Sequence, residues 1–261
     1  MTLLGFHDVT KSYDGATRPA VAGVSLTVDP GEDVAIVGPS GAGKTTLLRL
    51  ATGALRPDSG RVTIDGDPDP DRTQTALVYQ EGALLERRSV LSNVVVGTLG
   101  SQSRLRGLLE PLYPRDPERA IQLLERAGIA EYADTRVDQL SSGERQRVAC
   151  VRALVQESRL LLADEPTANL DPTTSQRILD LLSAALDDRS LIVVIHDIDL
   201  ALEHFERIVG FSGGTVRFDK PASRVSAADV DRLFDESATT AGSTRATRAQ
   251  PRSKPGVQSD Q

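Results

Sequence analysis

The sequence predicts an α/β fold in which a phosphate-binding loop joins a buried strand to a helix, and three observations predict it. Val34-Ala35-Ile36-Val37, Leu160-Leu161-Leu162-Ala163 and Leu191-Ile192-Val193-Val194-Ile195 are near-continuous apolar runs, the pattern of parallel strands buried on both faces. Thr173 to Leu186, between the second run and the third, reads as a helix. Directly after the first run stands Gly38-Pro39-Ser40-Gly41-Ala42-Gly43-Lys44-Thr45-Thr46, which opens into the helical stretch Leu47-Leu48-Arg49-Leu50.

In that loop Gly38, Gly43, Lys44 and Thr45 carry the spacing G-x-x-x-x-G-K-[ST]. Glycines let successive backbone N–H groups face one concavity, and the following helix adds its positive N-terminal end. Lys44 brings a point charge to the β and γ phosphates, and Thr45 offers a hydroxyl to Mg²⁺. The loop is therefore expected to bind a nucleoside triphosphate.

The chain of 261 residues is long enough for one large domain or for a core with an inserted subdomain. Its 39% hydrophobic content with only 3% aromatics and no Trp suits an aliphatic α/β core. A net charge of −7 counts against general nucleic-acid binding. No apolar run approaches the roughly 20 residues of a membrane span. The start Met1-Thr2-Leu3-Leu4-Gly5 lacks a basic region and a long apolar one, so an unsecreted, soluble chain is expected. Cys150 is the only cysteine, set in Val148-Ala149-Cys150-Val151, which reads as a buried hydrophobe rather than a nucleophile.

Taken in order, Leu3 to Val9 and Val24 to Val28 read as strands around the turn Asp14-Gly15. Asp29-Pro30-Gly31-Glu32 turns into the strand that feeds the phosphate loop. Arg61-Val62-Thr63-Ile64 and Ala76-Leu77-Val78-Tyr79 are further strands, the second ending at Gln80. Residues 82 to about 155 read as a mostly helical subdomain inserted into the core, with Glu118 to Ala127 a helix whose apolar face includes Ile121 and Leu124. Val209-Gly210-Phe211, the turn Gly213-Gly214 and Thr215 to Phe218 complete the strands. Residues 1–235 are expected to form one nucleotide-binding domain, and 236–261, nearly devoid of large apolar residues, a disordered tail.

The second apolar run ends in Asp164-Glu165. Asp164 is placed to hold Mg²⁺, and Glu165 to polarise a water for attack on the γ phosphate. Leu140-Ser141-Ser142-Gly143-Glu144-Arg145-Gln146-Arg147 then resembles the signature motif of ATP-binding-cassette (ABC) ATPases, usually Leu-Ser-Gly-Gly-Gln. Other elements of that family follow in order over most of the chain, up to about residue 225. Tyr13 resembles the aromatic that stacks on adenine and Gln80 the Q-loop glutamine. Ala168-Asn169-Leu170-Asp171 resembles the D-loop, and His196 the switch histidine.

The resemblance implies a phosphate-loop core with an N-terminal antiparallel β subdomain and an inserted helical subdomain. It implies that Glu165, His196, Gln80 and Lys44 serve catalysis and that Thr45, Gln80 and Asp164 serve Mg²⁺. It gives Tyr13, Gly38 to Thr46, and Ser141, Ser142, Gly143 and Glu144 to ATP. It further implies a head-to-tail homodimer sharing two nucleotides, working with two transmembrane permease subunits and a solute-binding protein at the cytoplasmic face of the membrane. Two residues depart from the pattern. Ser142 replaces a glycine and is expected to be tolerated, even to help as a cap. Glu144 replaces the glutamine and adds an acid near a polyphosphate, a cost unless Arg145 or Arg147 offsets it.

Ser89-Val90-Leu91-Ser92-Asn93-Val94, Gly97-Thr98-Leu99-Gly100 and His196-Asp197-Ile198-Asp199-Leu200-Ala201 are similar to the ATPase subunits of phosphonate importers. An exporter ATPase of lipoprotein or peptide type shares the catalytic motifs and stays open, as does a soluble ABC ATPase. The absence of an Asn-Lys-x-Asp guanine motif disfavours a GTPase.

Overall fold

The computed structural model of the chain describes residues 2–68, 74–79, 83–98, 117–184 and 189–234. Gln80 and the expected tail 236–261 lie outside the described residues. In chain order the elements are β1 (Leu4–Lys11), β2 (Val21–Val28), β3 (Asp33–Val37), α1 (Lys44–Ala51), β4 (Ser59–Ile64), β5 (Thr75–Val78), α2 (Val90–Thr98) and α3 (Pro117–Arg126). There follow α4 (Ser142–Leu154), β6 (Leu160–Asp164), α5 (Pro172–Ala184), β7 (Ser190–Ile195), α6 (Ile198–His204), β8 (Arg207–Ser212) and β9 (Thr215–Pro221).

Two sheets result. β2-β1-β4 is a three-stranded antiparallel sheet, and the second sheet has six strands in the order β5-β6-β7-β3-β8-β9. All pairs in the second run parallel except β8 with β9. The apolar strands are continuous because both faces are covered. Val34 and Ile36 of β3, Leu160 and Leu162 of β6, and Ile192 and Val194 of β7 enter a core shared with α1 and the antiparallel sheet. Their alternate neighbours, Ala35, Val37, Leu161, Ala163, Leu191, Val193 and Ile195, enter a second core with α4, α5 and α6. Each such large aliphatic side chain contributes about 1.5–3 kcal/mol on burial.

Helices α2, α3 and α4 fall between β5 and β6 in the chain and pack on one another. The buried stripe of α3 is Ala120, Leu123 and Leu124, continued by Ala127 just beyond its end, an i, i+3, i+4, i+7 pattern. Ile121 lies off that stripe and is 40% exposed, which corrects the apolar face read from the sequence. A helical stretch over 227–234 follows β9 and was not legible as such; Ser226 and Asp229 begin it with a reciprocal pair of hydrogen bonds. Among the described residues no helix is long and apolar enough to cross a membrane.

The consequence for chemistry is positional. Because β3, β6 and β7 are parallel neighbours in register, with Val37 opposite Ile195 and Asp164 opposite Val194, their carboxyl ends lie side by side. Ligands of open parallel sheets bind at such ends.

Candidate functional site

The phosphate loop leaves β3 at Gly38 and enters α1 at Gly43. Gly43 occupies the N-cap position with φ 105°, and a Cβ there would lie 1.9 Å from the Ala20 carbonyl oxygen. Only glycine meets both demands. Lys44 is buried, 5% exposed, and its Nζ donates to the carbonyls of Gly38 at 2.7 Å and Pro39 at 2.9 Å. Burial lowers its pKa, while Glu165 and Asp164 act in the opposite direction. Thr45 Oγ1 donates to Asp164 Oδ1 at 3.2 Å. Burial is the main influence on Asp164 and raises its pKa, with the nearby Glu165 adding to the effect and Thr45 opposing it.

Tyr13 follows β1, and its hydroxyl lies 3.2 Å from Thr46 Oγ1 in the first turn of α1. Tyr13 is 41% exposed, a large aromatic side chain left partly open beside the phosphate loop.

Glu165 is the first residue beyond β6 and adopts φ 51°, a left-handed conformation that costs a non-glycine residue about 1–3 kcal/mol. Its N–H donates to the Val194 carbonyl at 3.1 Å, which ties this turn to the neighbouring strand. The carboxylate oxygen Oε1 then meets His196 Nε2 at 2.6 Å. His196 is held between β7 and α6, whose N-cap Asp197 accepts from the N–H groups of Asp199 and Leu200. Beyond Glu165, Ala168 N–H returns to the Glu165 carbonyl, Asn169 takes φ 61°, and Asp171 Oδ1 accepts from Thr174 N–H at the head of α5.

At the head of α4 the cap is Ser141, and Ser142 sits inside the first turn. Ser142, expected to help as a cap, is not the cap residue; the extended backbone of Ser141 is what allows its side chain to fold over the turn. Glu144 completes a capping box. Its Oε2 accepts from the Ser141 N–H at 2.8 Å and from the Ser141 hydroxyl at 2.7 Å. The bonds from Ser141 hold the Glu144 carboxyl below its ordinary pKa. Arg145 is engaged with the carbonyls of Leu140 and Asp138, and Arg147 with those of Ala127 and Gly128. Arg147 touches Glu144 only through its field. Gly143 faces α5: a Cβ there would lie 3.2 Å from Thr174 Cγ2.

The structure thus gathers Tyr13, Lys44, Thr45, Thr46, Asp164, Glu165 and His196 around the phosphate loop and the carboxyl ends of β6 and β7. Among the described residues no hydrogen bond or ion pair joins Ser141 or Glu144 to the phosphate loop. One contributor escaped the sequence reading. Asn93 of α2 is fully buried, accepts the Leu85 N–H at 2.7 Å and donates to the carbonyls of Leu85 and Ser89. It pins the Leu85 backbone against the start of α2; the available signal was a single amide inside the apolar run from Val90 to Val96.

That order of motifs at the ends of a parallel sheet defines an ATP-binding cassette, and the chain belongs to the ABC transporter family, which matches residues 21–168. Among similar proteins is Phosphonates import ATP-binding protein PhnC 1 of Rhodopseudomonas palustris (strain BisB18), 40% identical over 245 residues that cover 90% of both chains. The protein of the same name from Natronomonas pharaonis is 43% identical over 237 residues, covering 90% of this chain and all of that one. Among solved structures, the dimeric post-hydrolysis state of an ATP-binding cassette bound to ADP and phosphate matches with a TM-score of 0.72 at 30% identity, covering 84% of this chain and 99% of that one.

Proposed function

We propose that the chain is the ATP-hydrolysing subunit of an importer for phosphonates or a related phosphorus oxyanion, peripheral to the cytoplasmic face of the membrane. The observation that carries the hydrolytic part is the meeting of Glu165 and His196 beside Lys44 and Asp164. The named relatives support the substrate class, since phosphonate import stands in their names.

In this reading two copies close head to tail on two ATP molecules, each bound by the phosphate loop of one copy and covered by the Ser141-led helix end of the other. Tyr13 stacks on the base, and the N–H groups from Gly38 to Thr46 with Lys44 neutralise the phosphates. The Thr45 hydroxyl and the Asp164 carboxylate, 3.2 Å apart, are hard oxygen donors that suit Mg²⁺ with most of its water retained, and Gln80 joins them by the family pattern. Bound there, the ion supplies charge for the phosphate oxygens. Glu165 takes a proton from a water that His196 helps to orient. The water oxygen bonds to the γ phosphorus as the bond to the β–γ bridging oxygen breaks, leaving ADP and phosphate. Closing and parting move two permease subunits, to which a solute-binding protein delivers the substrate.

Reconstitution with the neighbouring permease and solute-binding protein tests this. ATP hydrolysis that rises on adding an alkylphosphonate, and only with the binding protein present, is the expected result. Stimulation by a peptide or lipid without a binding protein would assign the chain to export instead.

A further inference from the structure

The anion site at the head of α4 is already filled from within. Ser141 has one hydroxyl proton and one N–H, and both point at the same oxygen, Oε2 of Glu144, at 2.7 and 2.8 Å. Neither Arg145 nor Arg147 forms an ion pair with that carboxylate; both hydrogen-bond backbone carbonyls instead. A carboxylate at a helix N-terminus is stabilised by the same partial charge that would attract a phosphate.

We infer that Glu144 is an internal competitor for the nucleotide of the opposing copy, holding Ser141 in a closed bond that ATP-driven dimerisation must break. The inference rests on the shared-nucleotide reading given above. For Ser141 to donate its hydroxyl to a γ phosphate, that proton must leave Glu144, because a hydroxyl has only one to give. Closure also brings a full negative charge toward a polyphosphate, and it does so at two sites per dimer. A glutamine would satisfy the reciprocal cap with its amide oxygen, carry no charge and present an N–H₂ group to the phosphate. Closure of the isolated subunit is accordingly weak, and contact with the permease supplies what the nucleotide alone does not.

The test uses the full chain with hydrolysis blocked by Glu165→Gln. Sedimentation velocity in saturating MgATP compares that variant with Glu165→Gln/Glu144→Gln, at low and at high NaCl. Because Gln keeps the capping box, nucleotide-free melting curves check that both proteins fold alike. The expected result is a dimer dissociation constant lowered on the order of tenfold or more by Glu144→Gln, with the gap narrowing as salt screens the repulsion. Equal constants, or weaker dimerisation with Gln, would overturn the inference and leave the shared-nucleotide reading intact. Should neither protein dimerise, even at raised protein concentration and beside the permease, that reading fails and takes the inference with it.

Discussion

His196 Nε2 and Glu165 Oε1 are 2.6 Å apart across the ends of neighbouring strands β7 and β6. Groups that close act as one device, and their removal is non-additive. Glu165→Gln and His196→Ala should each lower turnover by about 10²–10⁴-fold, the range for a positioned general base. The double variant should be no worse than the poorer single one. Multiplying losses, measured by steady-state phosphate release, would separate the two residues.

Lys44 keeps its ammonium in place with bonds to Gly38 and Pro39 and has a further proton to offer a phosphate. Lys44→Ala should weaken ATP binding by roughly ten- to hundredfold, the equivalent of one strong charge-assisted bond. The check is the thermal shift produced by MgATP, which should vanish at concentrations that stabilise the wild type. An unchanged shift would place the phosphates elsewhere.

Gly43 and Gly15 separate backbone strain from collision. Both have positive φ, 105° and 77°, but a Cβ at Gly43 would meet the Ala20 carbonyl at 1.9 Å while one at Gly15 would meet nothing within 4 Å. Gly15→Ala should cost only about 1 kcal/mol, and Gly43→Ala about 3 kcal/mol or more. Urea denaturation gives both values; similar losses would mean that the loop yields around the added methyl.

Asp33 opens β3, and burial, with Glu206 nearby, pushes its carboxyl from the ordinary 3.8 up to about 6, the nearby Leu191 backbone N–H opposing the rise. Between those values the folded chain holds a proton that the unfolded chain has lost, so stability falls as pH rises from about 4 to 6 and the cost is complete above that range. Asp33→Asn should therefore melt a few degrees higher than wild type at pH 7.5, with the gap closing toward pH 4. A gap independent of pH would contradict the buried-charge account.

What was legible follows from how local the chemistry is. Gly38 to Thr46, Asp164, Glu165 and His196 lie within fixed short spacings or directly after apolar runs, and the structure brings them to one edge of the central sheet. The two cores that make those runs continuous were implied by the same lack of alternation. Less local features stayed hidden. Ile121 and Leu123 are equally apolar, and only the packing of α3 decides that the second is buried. The commitment of Glu144 to Ser141 depends on rotamers at the start of α4, and the raised pKa of Asp33 on how deeply the assembled sheet buries it, with Glu206 from far along the chain adding to the effect.

The proposed cycle requires two chains to share each nucleotide. Sedimentation velocity of the Glu165→Gln protein, with and without saturating MgATP and at raised protein concentration or beside its permease, measures this directly. A nucleotide-dependent dimer holding two ATP molecules is the predicted result. A protein that binds MgATP yet stays monomeric under all of these conditions would contradict it.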